Sequence, residues 1–302
     1  MRRRGANGGT PAVPSRTCGS ATCRHGHPPG LQARRDGRAQ PASDRGPRRV
    51  SRRGTIDASR AWGGEMARLN RLAAGGLPHH VLQRGHNAQP VALDAADHVQ
   101  LLALAGEMAR TTSVQIHGFA LVPGAVHWLL TPQTEAGVSL FMQALGRRYG
   151  RYFNARHQRR GSLWDGRFRS MVFQPERHML DHLLYVDTLP VRLGLVPRAE
   201  DHAWSSATHH LGEGGEPWLV APPAYWALGN TPFERELRYR ARLNEGVSAA
   251  LAERIAQAVT SGWAMGDEAF LSQLTQQVGR RVQPGRRGRP RRGAADGMVE
   301  PT

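Results

Sequence analysis

Between Pro175 and Leu189, four side chains able to do more than pack recur at helical intervals: His178, Asp181, His182 and Tyr185. The first three precede the tyrosine by seven, four and three residues, which puts all four on one helical face. Imidazole and carboxylate are suitable ligands for a divalent cation. Taken alone, Tyr185 beside Leu184 reads as a buried aromatic. A further imidazole lies in Gly118–Pro132, GFALVPGAVHWLLTP. Two apolar runs around Pro123-Gly124 predict a buried hairpin, and period two puts His127 on the same side as Ala125. One reading is a metal site built from His127, Asp181 and His182; the other is a solvated polar stripe on an amphipathic helix. His79 and His80 are further candidate ligands, whereas His117 reads as a packing residue.

The elements that would hold these residues are legible from pattern. PHHVLQR (78–84) reads as a short strand, and Asp94 can cap the helix that follows. Val114 to Val122 and Ala125 to Leu130 read as strands, Ser139 to His157 as a helix, and Arg167 to Phe173 as a strand. Pro175 opens the helix that carries Tyr185, and Pro190 is expected to stop it. The order predicts an α+β domain with an antiparallel sheet, a ferredoxin-like split βαβ arrangement followed by one more helix. Short helices are expected around 234–244, 248–260 and 268–278.

The chain has 302 residues and a formal charge of +17, and all 41 basic residues are arginine. Such an excess points to a polyanionic partner, most simply nucleic acid, although the Gly, Ala, Pro and Arg bias is also what a GC-rich genome writes. Cys18 and Cys23, with His25 and His27 nearby, lack a second cysteine pair and read as free thiols rather than a zinc site. No apolar run is long enough to cross a membrane, and no secretory signal opens the chain. A cytoplasmic, nucleoid-associated location is the expectation.

Composition divides the chain into four segments. Residues 1–65 are rich in Arg, Gly, Pro and Ser and read as a disordered basic segment. Because the composition changes at Met66, that segment is either upstream of the true start or a basic arm for phosphates. Residues 66–230 form the α+β domain, 231–278 a helical extension, and 279–302 an Arg-rich tail. Arg287-Gly288-Arg289-Pro290 in that tail looks like an AT-hook, whose arginines can enter a narrow A·T minor groove.

Six blocks carry a wider resemblance: PHHVLQRG (78–85), LVPGAVHWLLTP (121–132), MQALGRRYGRYFN (142–154), GSLWDGRFRS (161–170), YVDTLPVRLGLV (185–196) and WSSA (204–207). In this order the chain resembles the single-tyrosine HUH transposases, in particular the REP-associated branch. The resemblance implies an enzyme that nicks and rejoins single-stranded hairpin DNA through a phosphotyrosine on Tyr185. It also implies Mg²⁺ or Mn²⁺ held by a His-x-His pair and assisted by an amide one turn beyond the tyrosine. Here those positions are Ala125, His127 and Leu189. Two of the three expected ligands are therefore apolar, and cleavage is expected to be impaired. The alternative is a regulator on the same fold that binds DNA hairpins without cutting. Expected DNA contacts are Arg147, Arg148, Arg151, Arg167 and Arg169, with Arg287 and Arg289 in the tail. A homodimer and a monomer are both compatible with the resemblance.

Overall fold

The computed structural model describes residues 71–285. The Cys18/Cys23 pair, the segment 1–65 and the Arg287/Arg289 motif lie outside them. Four strands, β1 (His79–Arg84), β2 (Val114–Val122), β3 (Ala125–Pro132) and β4 (Arg169–Val172), pair antiparallel in the order β2-β3-β1-β4. Helices α1 (Ala95–Thr111) and α2 (Gly137–Arg156) fall after β1 and β3. This is the ferredoxin-like βαββαβ arrangement.

Both sheet faces are covered, so β2 and β3 read as nearly continuous apolar runs. On one face, Val81, Ile116, Phe119, Trp128 and Leu130 pack with Leu101 and Met108 of α1 and Phe141, Leu145 and Phe153 of α2. A bulge at His117 lets β2 serve this face throughout. The register slips between Ile116 and Gly118, so the inward residues change from even (Val114, Ile116) to odd (Phe119, Leu121). The displaced His117 ring bonds to the Val220 carbonyl and Thr131 Oγ1 at 2.7 and 2.8 Å, as befits a packing residue.

The opposite face carries Leu82, Ala120, Leu129 and Met171 beneath α3 (Pro175–Asp187). Close approach requires Gly118: a β-carbon there would lie 3.1 Å from Ser206 Oγ and 3.2 Å from Leu183 Cδ2. Pro190 follows the end of α3 at Asp187, as expected, but does not end helical structure altogether. It sits in the first turn of α4 (Leu189–Arg192), where a missing N–H costs nothing. Arg192 is thereby returned over α3.

The chain continues through α5 (Ala207–His210), α6 (Pro223–Trp226), α7 (Pro232–Glu245), α8 (Ala249–Ser261) and α9 (Glu268–Val278). Asp94, Thr231, Ser248 and Asp267 cap α1, α7, α8 and α9 with their side-chain oxygens. Tyr239, Leu243, Ile255 and Val259 from α7 and α8 join the core under α3. Leu72, Val172, Leu274 and Val282 close a smaller cluster around α9. Among the described residues, no helix is long and apolar enough to cross a membrane.

Candidate functional site

Strand register brings the first two site residues together. His127 on β3 lies opposite Leu82 and His80 on β1 opposite Leu129, so the two imidazoles are diagonal neighbours on the α3 face. His80 Nε2 lies 2.9 Å from His127 Nδ1, and His80 Nδ1 lies 3.0 Å from His182 Nδ1 on α3. His182 also stacks on Phe173, with ring centroids 3.9 Å apart. The result is a buried chain of three imidazoles with His80 at its centre.

Tyr185 closes over this chain. Its ring centroid is 5.5 Å from that of His80 and 6.2 Å from that of His127. On its face lies Arg192, with Cζ 4.0 Å from the ring centre and Nη2 donating to the Tyr185 carbonyl at 2.5 Å. Burial, then the charges of Arg192 and Arg84, push the His127 pKa down to about 3. Burial, then His178, brings His182 to about 3. His80 is lowered well below 6.5 by burial first and then by its two partner rings and Arg192. All three rings are therefore neutral at pH 7.

The helix carrying the tyrosine is fixed by a second buried network. The Asp187 carboxylate, fully buried, accepts from Ser206 Oγ at 2.5 Å, His210 Nδ1 at 2.6 Å and Tyr239 Oη at 2.7 Å. Ser206 in turn accepts from the Phe119 amide at 2.9 Å, tying α3 to β2, α5 and α7. Asp187 is two residues beyond Tyr185, so this network sets where the phenol sits.

A divalent metal does not fit this arrangement. Ala125 has no ligand atom, and Leu189 is apolar and buried. His127 Nδ1 is committed to His80 Nε2, and His80 Nδ1 to His182 Nδ1. Asp181 hydrogen-bonds to His178 at 3.4 Å on its own helix rather than to any ring of the chain. Among the described residues, no group of three His, Cys, Asp or Glu side chains is placed to hold a metal ion. The structure thus brings His127, His182 and Tyr185 together, adds His80, and leaves Asp181 outside. His79 is buried with Nδ1 on the Leu77 carbonyl, and like His182 it leaves Nε2 without a partner.

The arginines divide into two groups. On α2, Arg148 is paired with Glu107 at 2.5 Å, and Arg147 bonds to the Gln143 carbonyl at 3.3 Å. Arg167 and Arg169 instead line a cleft of about 610 Å³ with Arg71, Arg84 and Arg280. Phe168 and Trp263 line it as well, and among the described residues Asp165 is its one acidic side chain. Among the described residues, none of these five arginines forms an ion pair. Burial, then the adjacent Arg167 and Arg169, lower the Arg71 pKa. Sequence alone placed neither Arg84 nor Arg192 at the site. The alternation that faces His80 toward α3 also faces Arg84 that way, and that was the available signal.

No protein family and no curated protein matches the chain by sequence. Among solved structures it is similar to a REP-associated tyrosine transposase bound to a REP hairpin. Identity is 18%, the match covers 52% of this chain and 92% of that one, and the TM-score is 0.43. It is also similar to a Deinococcus radiodurans R1 protein provisionally assigned as a transposase. There identity is 22%, coverage is 38% of this chain and 91% of that one, and the TM-score is 0.29.

Proposed function

We propose that this chain is a transposase-like DNA-processing protein in which Tyr185 is the residue that attacks a strand of single-stranded or hairpin DNA. The observation that carries this reading is the placement of Tyr185 over the His127–His80–His182 chain and beneath Arg192, with the charge of Arg84 acting on His127. In the reaction, the phenol oxygen forms a bond to phosphorus while the bond from phosphorus to the 3′ oxygen breaks. The products are a 5′-phosphotyrosine and a free 3′ hydroxyl, which receives the phenol proton. Charge developing on the phosphate is met by the guanidiniums of Arg192 and Arg84, which suit phosphate oxygens. No step is assigned to Mg²⁺ or Mn²⁺, because the ligands do not fit.

A second reading is favoured by the same misfit. With Ala125 and Leu189 where ligands are needed, the fold serves as a hairpin-binding regulator that does not cut. One assay separates the two. Hairpin DNA is incubated with the wild-type chain and with Tyr185→Phe, in EDTA and in Mn²⁺. The enzyme reading expects slow nicking that survives EDTA and disappears in Tyr185→Phe. Binding without nicking in either condition establishes the regulator. Nicking that requires Mn²⁺ and is lost in both Tyr185→Phe and His127→Ala would overturn the metal-free account.

A further inference from the structure

The arginine cleft is not needed to place Tyr185 or its histidines, yet it gathers five arginines that form no ion pair among the described residues. Five guanidiniums from four separate places converge on it: Arg71 before β1, Arg84 at the end of β1, Arg167 and Arg169 entering β4, and Arg280 after α9. Such convergence is unfavourable without an anion. The like charges of Arg167 and Arg169 act on Arg71, and burial acts on Arg280. Among the described residues, Asp165 is the only carboxylate in the lining. A fork of planar guanidiniums matches phosphate oxygens, and the cleft volume of about 610 Å³ lies within the size class that encloses a nucleotide-sized ligand.

The cleft also has a direction. Arg84 lines it and at the same time pairs across the sheet with Ala125, two residues from His127. It is thus shared between the cleft and the tyrosine site. From these placements we infer that the cleft is a second DNA subsite, which holds the backbone phosphates of unpaired nucleotides flanking the phosphate presented to Tyr185. Trp263 on its wall supplies a face on which an unpaired base stacks. A lone phosphate or mononucleotide would use one or two of the arginines; a continuous strand uses the row and explains its extension toward Tyr185. This subsite rests on the tyrosine reading for its orientation, but not for its binding.

The test is fluorescence anisotropy of a short labelled single-stranded DNA with the full chain in EDTA, repeated over a range of salt. The variant is the triple Arg167→Ala/Arg169→Ala/Arg280→Ala, with circular dichroism to verify the fold. The expected result is an affinity loss of at least about tenfold and a salt slope shallower by roughly 2, from about 0.7 per neutralised phosphate on a single strand. The corresponding lysine triple recovers most of the slope. An alanine triple with unchanged affinity and slope overturns the subsite. Displacement of the strand by inorganic phosphate or a deoxynucleotide monophosphate at equal concentration overturns the polymer assignment, and tighter binding of the matching RNA overturns DNA. The parent reading fails separately: it falls if Tyr185→Phe nicks as wild type does, whatever the triple variant binds.

Discussion

His80 is the residue on which the candidate site turns. A neutral imidazole has one donor and one acceptor, so the central ring must donate to one neighbour and accept from the other. Protonation of any of the three puts a charge in a site from which water is excluded, and burial is the main force against it. The folded chain holds these rings well below the ordinary value of 6.5, with His127 and His182 at about 3. The unfolded chain therefore binds more protons wherever the pH is below 6.5. Stability is full above that value and drains away as pH falls from 6.5 toward about 3. The cost is roughly 1 kcal/mol per ring for each pH unit below 6.5. Unfolding free energies from urea titrations at pH 7.5 and 5.5 should differ by roughly 4 kcal/mol for the three rings together, and His182→Leu should flatten the dependence by one ring's share. Equal midpoints at the two pH values would show that the rings are not held neutral. Tyr185, His127 and His182 were legible as candidates because helix and strand periods put them on faces. The pairing of His80 with both was not, since it depends on the β1–β3 register and on how α3 lands on the sheet. Neither is encoded in local spacing.

At the scale of elements, α3 is held by its apolar stripe and also by the carboxylate at its end. Replacing Asp187 with alanine removes the acceptor for Ser206, His210 and Tyr239 in a site without water access. Breaking a buried charged network from one side costs roughly 3–5 kcal/mol. Tyr239→Phe deletes a single hydrogen bond and should cost about 1 kcal/mol. Chemical denaturation of the two variants measures both, and an Asp187→Ala cost no larger than that of Tyr239→Phe would deny the network its role. The sheet and its two flanking helices were readable because apolar runs and turn residues mark them. Two features were not. The bulge at His117 is invisible in a mostly apolar strand, where either parity looks correct. The turn of helix after Pro190 was missed because proline ends one helix and begins another equally well, and only the packing of Leu189 on the core decides which.

At the scale of the whole molecule, the basic charge of the described residues is not evenly partnered. On α2 and α1, Arg148 and Arg156 are neutralised by Glu107, Asp94 and Asp97. Among the described residues the cleft arginines have no such partner, so attraction for a polyanion is expected on the side where β1, β4 and the chain after α9 meet. The sequence adds a second basic group in Arg286, Arg287, Arg289, Arg291 and Arg292, only a few residues beyond Arg280. A strand in the cleft and an Arg-Gly-Arg core in a minor groove make different demands: the first needs unpaired nucleotides, the second a duplex rich in A·T. A chain ending after Gly285 should therefore keep its affinity for single strands to within a few fold. On an A·T-rich hairpin its salt slope should fall by about 2–4, at roughly 0.9 for each duplex phosphate that the tail arginines would have neutralised. Titrations of both DNAs at several salt concentrations decide it. An equal loss on the two substrates would make the tail a general phosphate binder, and no loss on the hairpin would remove it from DNA recognition altogether.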